Sequence, residues 1–158
     1  MKILRATISK KVPLAIVILI SAILSVACSY DSEKAILNGD VVNMHGPVYN
    51  FDRFETFLEQ INTAKTATVR ISNYTLEGNP TFYNVSFDGS SIDLEIDRSK
   101  DKSRGDAPAK MNTSCTDLAV EDGQQVVTYT LEGCDHDSSV EGFTLLSILK
   151  ESESEHAH

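Results

Sequence analysis

Two neighbouring segments with alternating apolar and polar residues constrain the fold of this chain more than any other feature. Residues 81–89 read TFYNVSFDG, and residues 91–97 read SIDLEID. Because side chains of one parity share one face of a strand, each segment is predicted to be a half-buried β-strand. Asp88-Gly89 supplies the turn chemistry of a hairpin. The inward face is predicted to consist of Tyr83, Val85, Phe87, Ile92, Leu94 and Ile96.

The sequence also predicts one amphipathic helix, from Asn50 to about Asn62. Asn50 is the expected N-cap, because its side-chain oxygen can accept a hydrogen bond from an exposed backbone N–H at the start of a helix. A stripe of apolar residues at helical spacing is usually the face that packs on a sheet. Here the stripe is Phe51, Phe54, Phe57, Leu58 and Ile61.

Further strands are predicted on both sides of the first hairpin. Val41 and Val42 are expected to form a short edge strand. Residues 66–77 form a strand whose inward phase slips between Ile71 and Tyr74, which indicates a bulge or bend. A second hairpin turns at residues 121–125, EDGQQ, with Leu118, Val120, Val127, Tyr129 and Leu131 on its strands, and a final strand covers residues 143–149.

Residues 98–112 have no apolar periodicity and are predicted to be a long loop. Half of the basic residues after position 27 lie in it. One helix and five or six strands joined by tight turns indicate the α+β class. We therefore expect an antiparallel sheet of about five strands, with the amphipathic helix packed on one face and one disulfide.

The three cysteines are Cys28, Cys115 and Cys134. Cys115 and Cys134 flank the second hairpin, so they are predicted to face each other and form the disulfide. A redox or metal-binding thiol pair is the alternative, but such pairs usually have C-x-x-C spacing. An odd cysteine in an exported chain requires an explanation of its own.

The first 27 residues have the layout of a secretory signal peptide. A basic start without acidic residues is followed by the uncharged stretch Leu14 to Ala27. The alternative is an uncleaved transmembrane helix, which needs about 20 apolar residues. Residues 24–28, LSVAC, resemble a bacterial lipobox, the signal for lipidating a cysteine and cutting before it, although Ser25 stands where that pattern has Leu. Lipidation accounts for Cys28, and a plain secreted protein is the alternative.

Four segments follow from these patterns. Residues 1–27 are the expected signal peptide, residues 28–34 a lipid-bearing tether, residues 35–150 a single α+β domain, and residues 151–158 a polar tail. The expected location is the extracytoplasmic face of the cell membrane, with fatty acyl groups such as palmitate on the N-terminal Cys28.

The charge of the chain argues against nucleic acid as a partner. The formal net charge is −9, and removal of residues 1–27, which carry four cations and no anion, brings it to −13. Nucleic-acid binding needs a basic face. The same acidity predicts that a body anchored by lipid stands off an anionic membrane surface.

Candidate sites in the sequence are weak. No G-x-S-x-G, H-E-x-x-H or phosphate-binding glycine loop occurs. His45, in MHGP, is a candidate general base without an identifiable partner. Asp135-His136-Asp137 and the triplet Asp93, Glu95 and Asp97 are candidate metal ligands, but a polar turn and a solvated strand face are favoured. The tripeptide Arg104-Gly105-Asp106 is attributed to chance. No cofactor and no metal are predicted.

Three stretches together resemble a known family: SEKAILNGDVVNMHG (32–46), YTLEGNPTF (74–82) and YTLEGC (129–134). The chain resembles small lipoproteins of Gram-positive bacteria that carry a domain of unknown function. The resemblance implies a signal peptide, a lipid-bearing Cys28 and an extracytoplasmic domain, and it implies no reaction.

The leading functional prediction is a non-enzymatic binding or accessory module at the cell surface. Its partners would be the membrane, through the N-terminal lipid, and an unknown protein or small molecule. A small surface hydrolase using His45 with a carboxylate is the enzymatic alternative.

Overall fold

The computed structural model describes residues 32–135 and 142–150. In this part of the chain, helices α1 and α2 are Ser32–Leu37 and Phe51–Asn62. Strands β1 to β9 are Val41–Asn43, Val48–Tyr49, Ala67–Tyr74, Pro80–Phe87, Ile92–Asp97, Lys110–Cys115, Asp117–Asp122, Val126–Glu132 and Phe143–Leu149.

The α+β class is confirmed, with more strands and one more helix than the sequence predicted. A six-stranded sheet has the order β2-β1-β3-β4-β5-β6, and a three-stranded sheet has the order β7-β8-β9. Among the described strands, all pairings are antiparallel except that of β1 with β3. The prediction of an edge strand at Val41 and Val42 was wrong, because β1 lies between β2 and β3 and both valines are fully buried.

The first hairpin is confirmed. β4 and β5 pair in continuous register from Phe82–Asp97 to Phe87–Ile92. The predicted apolar face lies inside, and helix α2 covers this side of the sheet with Phe54 and Phe57 fully buried against it. Alternation therefore identifies the core face of the sheet correctly.

The predicted bulge in β3 does not exist. β3 pairs with β4 without interruption from Ala67 to Tyr74. Val69 and Ile71 face the main core, whereas Tyr74 faces the other side of the sheet and is buried there with Val42 and Ala35 of α1. The phase slip arises because the end of β3 is covered on both faces.

Asn50 occupies the N-cap position of α2 but does not cap the helix through its side chain. Its backbone is left-handed, with φ 55°, and its Nδ2 donates to the carbonyl oxygens of Ile36 at 2.9 Å and Asp40 at 2.8 Å. The side chain therefore ties the end of α1 and the start of β1 to the beginning of α2.

The three-stranded sheet shares a core with the six-stranded sheet. Tyr129 of β8 packs edge-on against Phe54 of α2, with ring centroids 4.9 Å apart, and Leu146 of β9 is buried in the same cluster. The predicted disulfide is confirmed between Cys115 and Cys134. It joins Cys115, the last residue of β6 in the six-stranded sheet, to Cys134, which lies just after the end of β8 in the three-stranded sheet.

Two predicted boundaries move. The loop after β5 is shorter than predicted, because residues 110–112 belong to β6 and pair with β5. Residues 32–34, expected in the tether, are already in α1. Among the described residues no helix has the length and apolarity needed to cross a membrane. The predicted signal peptide, Cys28, His136, Asp137 and the predicted tail at 151–158 lie outside the described residues.

Candidate functional site

The face of the six-stranded sheet opposite α2 carries two rows of polar side chains. The outward residues of β3, β4, β5 and β6 meet in register across neighbouring strands. One row is Thr68, Ser86, Asp93 and Ser114, and the next is Arg70, Asn84, Glu95 and Asn112. The alternation that buries one face of each strand places these side chains on the other face.

These two rows form the floor of an open groove of about 840 Å³. Asn38, Gly39, Asp40 and Arg53 line it at the β1 side, and Asp135 lines it at the β6 side. We call this surface the sheet groove. Gly39 has φ 85°, and a side chain there would meet the guanidinium carbon of Arg53 at 2.8 Å, so glycine lets Arg53 lie against the groove.

A buried carboxylate fixes one corner of the sheet groove. Asp40 is 9 % exposed, and its Oδ2 accepts a hydrogen bond of 2.7 Å from the fully buried hydroxyl of Ser72. The same oxygen lies 3.5 Å from Nε of Arg70, whose guanidinium stacks 4.4 Å from the centre of the Phe82 ring. Arg70 is thus held by an ion pair and a cation–π contact, and it enters the groove as an oriented donor.

Lys110 joins a carboxylate of the groove floor to a second carboxylate beside the sheet groove. Its Nζ lies 3.1 Å from Glu95 and 3.3 Å from Asp97. The hydrogen bond with Glu95, followed by that with Asp97, raises the pKa of Lys110. Burial works to raise the pKa of Asp97, but hydrogen bonds from Ser99 and the contact with Lys110 outweigh it and lower the pKa. Glu95 and Asp97 are therefore engaged with a lysine of their own chain.

Asp135 also has partners within the fold. Its Oδ1 accepts hydrogen bonds from the hydroxyl of Thr113 at 2.8 Å and from the backbone N–H of Ser114 at 2.9 Å. In residues 32–135 and 142–150, no group of three or more histidine, cysteine, aspartate or glutamate side chains is arranged to hold a metal ion.

His45 lies away from the sheet groove, on the exposed connection between β1 and β2. It has φ 59° and lines a small pocket of about 240 Å³ with Ser32, Tyr74 and Leu76. The lining of this pocket, as far as the described residues form it, has hydroxyl groups but no carboxylate.

The Arg104-Gly105-Asp106 tripeptide lies on the exposed connection between β5 and β6. Nη1 of Arg104 donates to the carbonyl oxygen of Ala107 at 2.8 Å. The arginine therefore folds back on its own turn.

A family model described as "Domain of unknown function (DUF4362)" matches residues 38–130, more than half of the chain. The chain belongs to this family. The match covers α2, β1 to β7 and most of β8, so the whole floor of the sheet groove lies inside the DUF4362 domain. No curated protein and no solved structure matches the chain.

The sheet groove could not be predicted from the sequence alone. Arg70, Asn84 and Asn112 occupy outward strand positions, which in an isolated strand are indistinguishable from a solvated face. The groove requires the order of four strands, and that order depends on pairings between distant segments of the DUF4362 domain. The nearest signal in the sequence was the acidic triplet Asp93, Glu95 and Asp97, because Asp93 and Glu95 lie on the groove floor and Asp97 lies beside it.

Proposed function

We propose that this protein is an extracytoplasmic binding module, anchored in the membrane by lipid on Cys28, and that the sheet groove binds a polar partner without catalysing a reaction. We also infer that it belongs with the small lipoproteins of Gram-positive bacteria that its sequence resembles. The observation that carries the binding role is the open polar face that the described residues form on the six-stranded sheet.

The anchor is supported by the sequence around Cys28. A basic start and an apolar stretch precede LSVAC, and the chain turns polar immediately after it. The Cys115–Cys134 disulfide is typical of exported proteins, because disulfides persist in oxidising compartments. Since that bond uses two of the three cysteines, Cys28 is left available for a lipid.

The binding role is supported by the chemistry of the sheet groove. Hydroxyl, amide, carboxylate and guanidinium groups converge on one concavity, where a few oriented polar groups give a ligand its specificity. Four carboxylates, those of Asp40, Asp93, Glu95 and Asp135, outnumber the two guanidinium groups in the lining. Charge complementarity therefore favours a partner that is neutral or basic at the point of contact.

The anchor is tested by mass spectrometry of the mature N-terminus from cells that express the full chain. We expect a first residue Cys28 that carries acyl groups and a protein in the membrane fraction. The Cys28→Ala variant should leave that fraction. An unmodified Cys28 peptide from wild-type protein would refute the anchor.

The groove is tested by photo-crosslinking on intact cells. A photoreactive residue replaces Ser86 on the groove floor or, as the matched control, Ser147, an exposed serine of β9 on the other sheet. We expect one discrete adduct from position 86 that is absent from position 147. Addition of Thr68→Lys to the position-86 variant should abolish the adduct, and an adduct that survives this change would contradict binding in the groove.

A further inference from the structure

Three connections of the six-stranded sheet lie at the same end of its strands. β1 runs parallel to β3, so residues 44–47 leave the sheet where β3 ends. Residues 75–79 join β3 to β4 at this end. Because β5 ends and β6 begins at the Asp97–Lys110 pair, residues 98–109 lie there as well. We call this surface of residues 44–47, 75–79 and 98–109 the loop end of the sheet.

The loop end combines exposed apolar side chains with cations. Leu76 is 85 % exposed and Met44 is 41 % exposed. The connection 98–109 carries four cations and two anions. Glu77, in the connection between β3 and β4, adds one more anion, so the loop end has a net charge of +1. The chain from Cys28 onward has a net charge of −13, so this small surface is basic on an otherwise acidic protein. Its cations are Arg98, Lys100, Lys102 and Arg104.

The chain enters the fold at the loop end. Ser32, the first residue of α1, lines the same small pocket as Met44, His45 and Leu76. Four residue steps separate Cys28 from Ser32, so their Cα atoms lie at most about 14 Å apart whatever the conformation between them. In contrast, β3 extends away from this end by eight residues, a length of about 25 Å. A lipid on Cys28 therefore keeps the loop end close to the headgroups.

We propose that the loop end is a membrane-docking surface that binds an anionic phospholipid bilayer. Leu76 and Met44 insert at the headgroup boundary, and the cations of residues 98–109 pair with lipid phosphates. This inference rests on the proposed lipid at Cys28. It replaces the expectation that the acidic body stands off the membrane, because the charge that faces the membrane is the local positive charge. The strands then stand upright, and Thr68, Ser86 and Asp93 of the sheet groove lie near the end of the sheet that is farther from the bilayer.

The chain has no tryptophan, which allows single-tryptophan reporters. The mature chain from Cys28 onward is coupled through the Cys28 thiol to a maleimide lipid in vesicles of phosphatidylcholine and phosphatidylglycerol. Leu76→Trp reports on the loop end, and Leu37→Trp, at the far end of α1 and 86 % exposed, is the matched control. With brominated phosphatidylcholine in the vesicles, we expect blue-shifted and quenched emission from Leu76→Trp and unshifted, unquenched emission from Leu37→Trp. Equal quenching of the two reporters, or none in either, overturns the proposal.

A charge variant tests the lipid chemistry. Lys100→Ser with Lys102→Ser, in the Leu76→Trp background, should lower the docking equilibrium constant on anionic vesicles by about fivefold for each lysine removed. Lys65→Ser, an exposed lysine before β3 at the opposite end, should leave it unchanged. If the double variant docks like its parent, anionic lipid is not the partner and the proposal fails.

The synthetic anchor separates this proposal from the proposed function. Coupling through the maleimide does not depend on whether a cell lipidates Cys28. An unmodified mature Cys28 in cells would overturn natural anchoring and leave the vesicle result as a property of the domain, whereas a lipidated Cys28 with unquenched Leu76→Trp would overturn docking alone.

Discussion

At the scale of single residues, Asn50 shows that a sequence pattern can place a residue correctly and still predict the wrong hydrogen-bond partners for its side chain. An asparagine before an amphipathic stripe marks the start of a helix, and α2 begins at the next residue. The side chain is used differently, because its partners are the carbonyl oxygens of Ile36 and Asp40, 14 and 10 positions earlier. Local sequence contains no information about those partners. The left-handed backbone of Asn50 then suits asparagine better than most residues.

Substitutions at Asn50 should separate its hydrogen bonds from its backbone conformation. Asn50→Gly removes two hydrogen bonds and should lower the free energy of unfolding by about 2 kcal/mol. Asn50→Ala removes the same bonds and adds left-handed strain, for a total of about 3 kcal/mol. Urea unfolding measures both, with Asn62→Ala, at the exposed end of α2, expected to remain within about 0.5 kcal/mol of wild type. Equal losses for glycine and alanine would show that backbone strain plays no part.

At the scale of elements, alternation predicts the strands whose two faces differ and fails where they do not. β5 has one buried and one polar face, as has β4 from Tyr83 to Phe87, and the sequence places both correctly. β3 contains Ser72, a fully buried serine whose partner Asp40 lies 32 positions earlier, so its pattern resembles a bulge. β6 opens with a lysine, a methionine and an asparagine, and the sequence predicts these three residues as part of a loop. In each failure, the deciding contact comes from a distant segment.

The turn between β4 and β5 has a measurable pH signature. Oδ1 of Asp88 accepts hydrogen bonds of 2.8 Å from the backbone N–H of Ser91 and of Ser90, and these bonds lower its pKa from 3.8 to about 2. Because the folded pKa is depressed, the contribution of Asp88 to stability is complete above pH 3.8 and is lost as the pH falls towards 2. Carbon-detected NMR titration should give a midpoint near 2 for this carboxyl group.

Two variants check the origin of that shift. Ser90→Ala removes one hydroxyl donor and should raise the midpoint of Asp88 part of the way, because the backbone donors remain. Asp88→Asn should remove this contribution to the acid dependence of unfolding. A wild-type midpoint near the ordinary value would contradict the hydrogen-bonded turn.

At the scale of the whole molecule, the sequence predicted one sheet, whereas residues 32–135 and 142–150 form two. Only Thr116 separates β6 from β7, and both hairpins have the same local alternation, so nothing local marks the change of sheet. The disulfide was predictable because its cysteines flank the second hairpin. The sequence did not predict that this disulfide joins two different sheets, because cysteines that flank a hairpin indicate a link between neighbouring strands of one sheet. The shared core and the disulfide together indicate that the two sheets unfold as one unit.

Removal of the disulfide should therefore lower stability without separating the sheets. The double variant Cys115→Ala with Cys134→Ala opens a loop across 19 positions and should lower the free energy of unfolding by about 3 kcal/mol. Reduced and alkylated wild-type protein provides a second route to the same state. Urea unfolding followed by far-ultraviolet circular dichroism and by tyrosine fluorescence should give coincident single transitions, because Tyr129 of the second sheet packs on Phe54 of α2. Two separate transitions would mean that the disulfide, and not the shared core, couples the sheets.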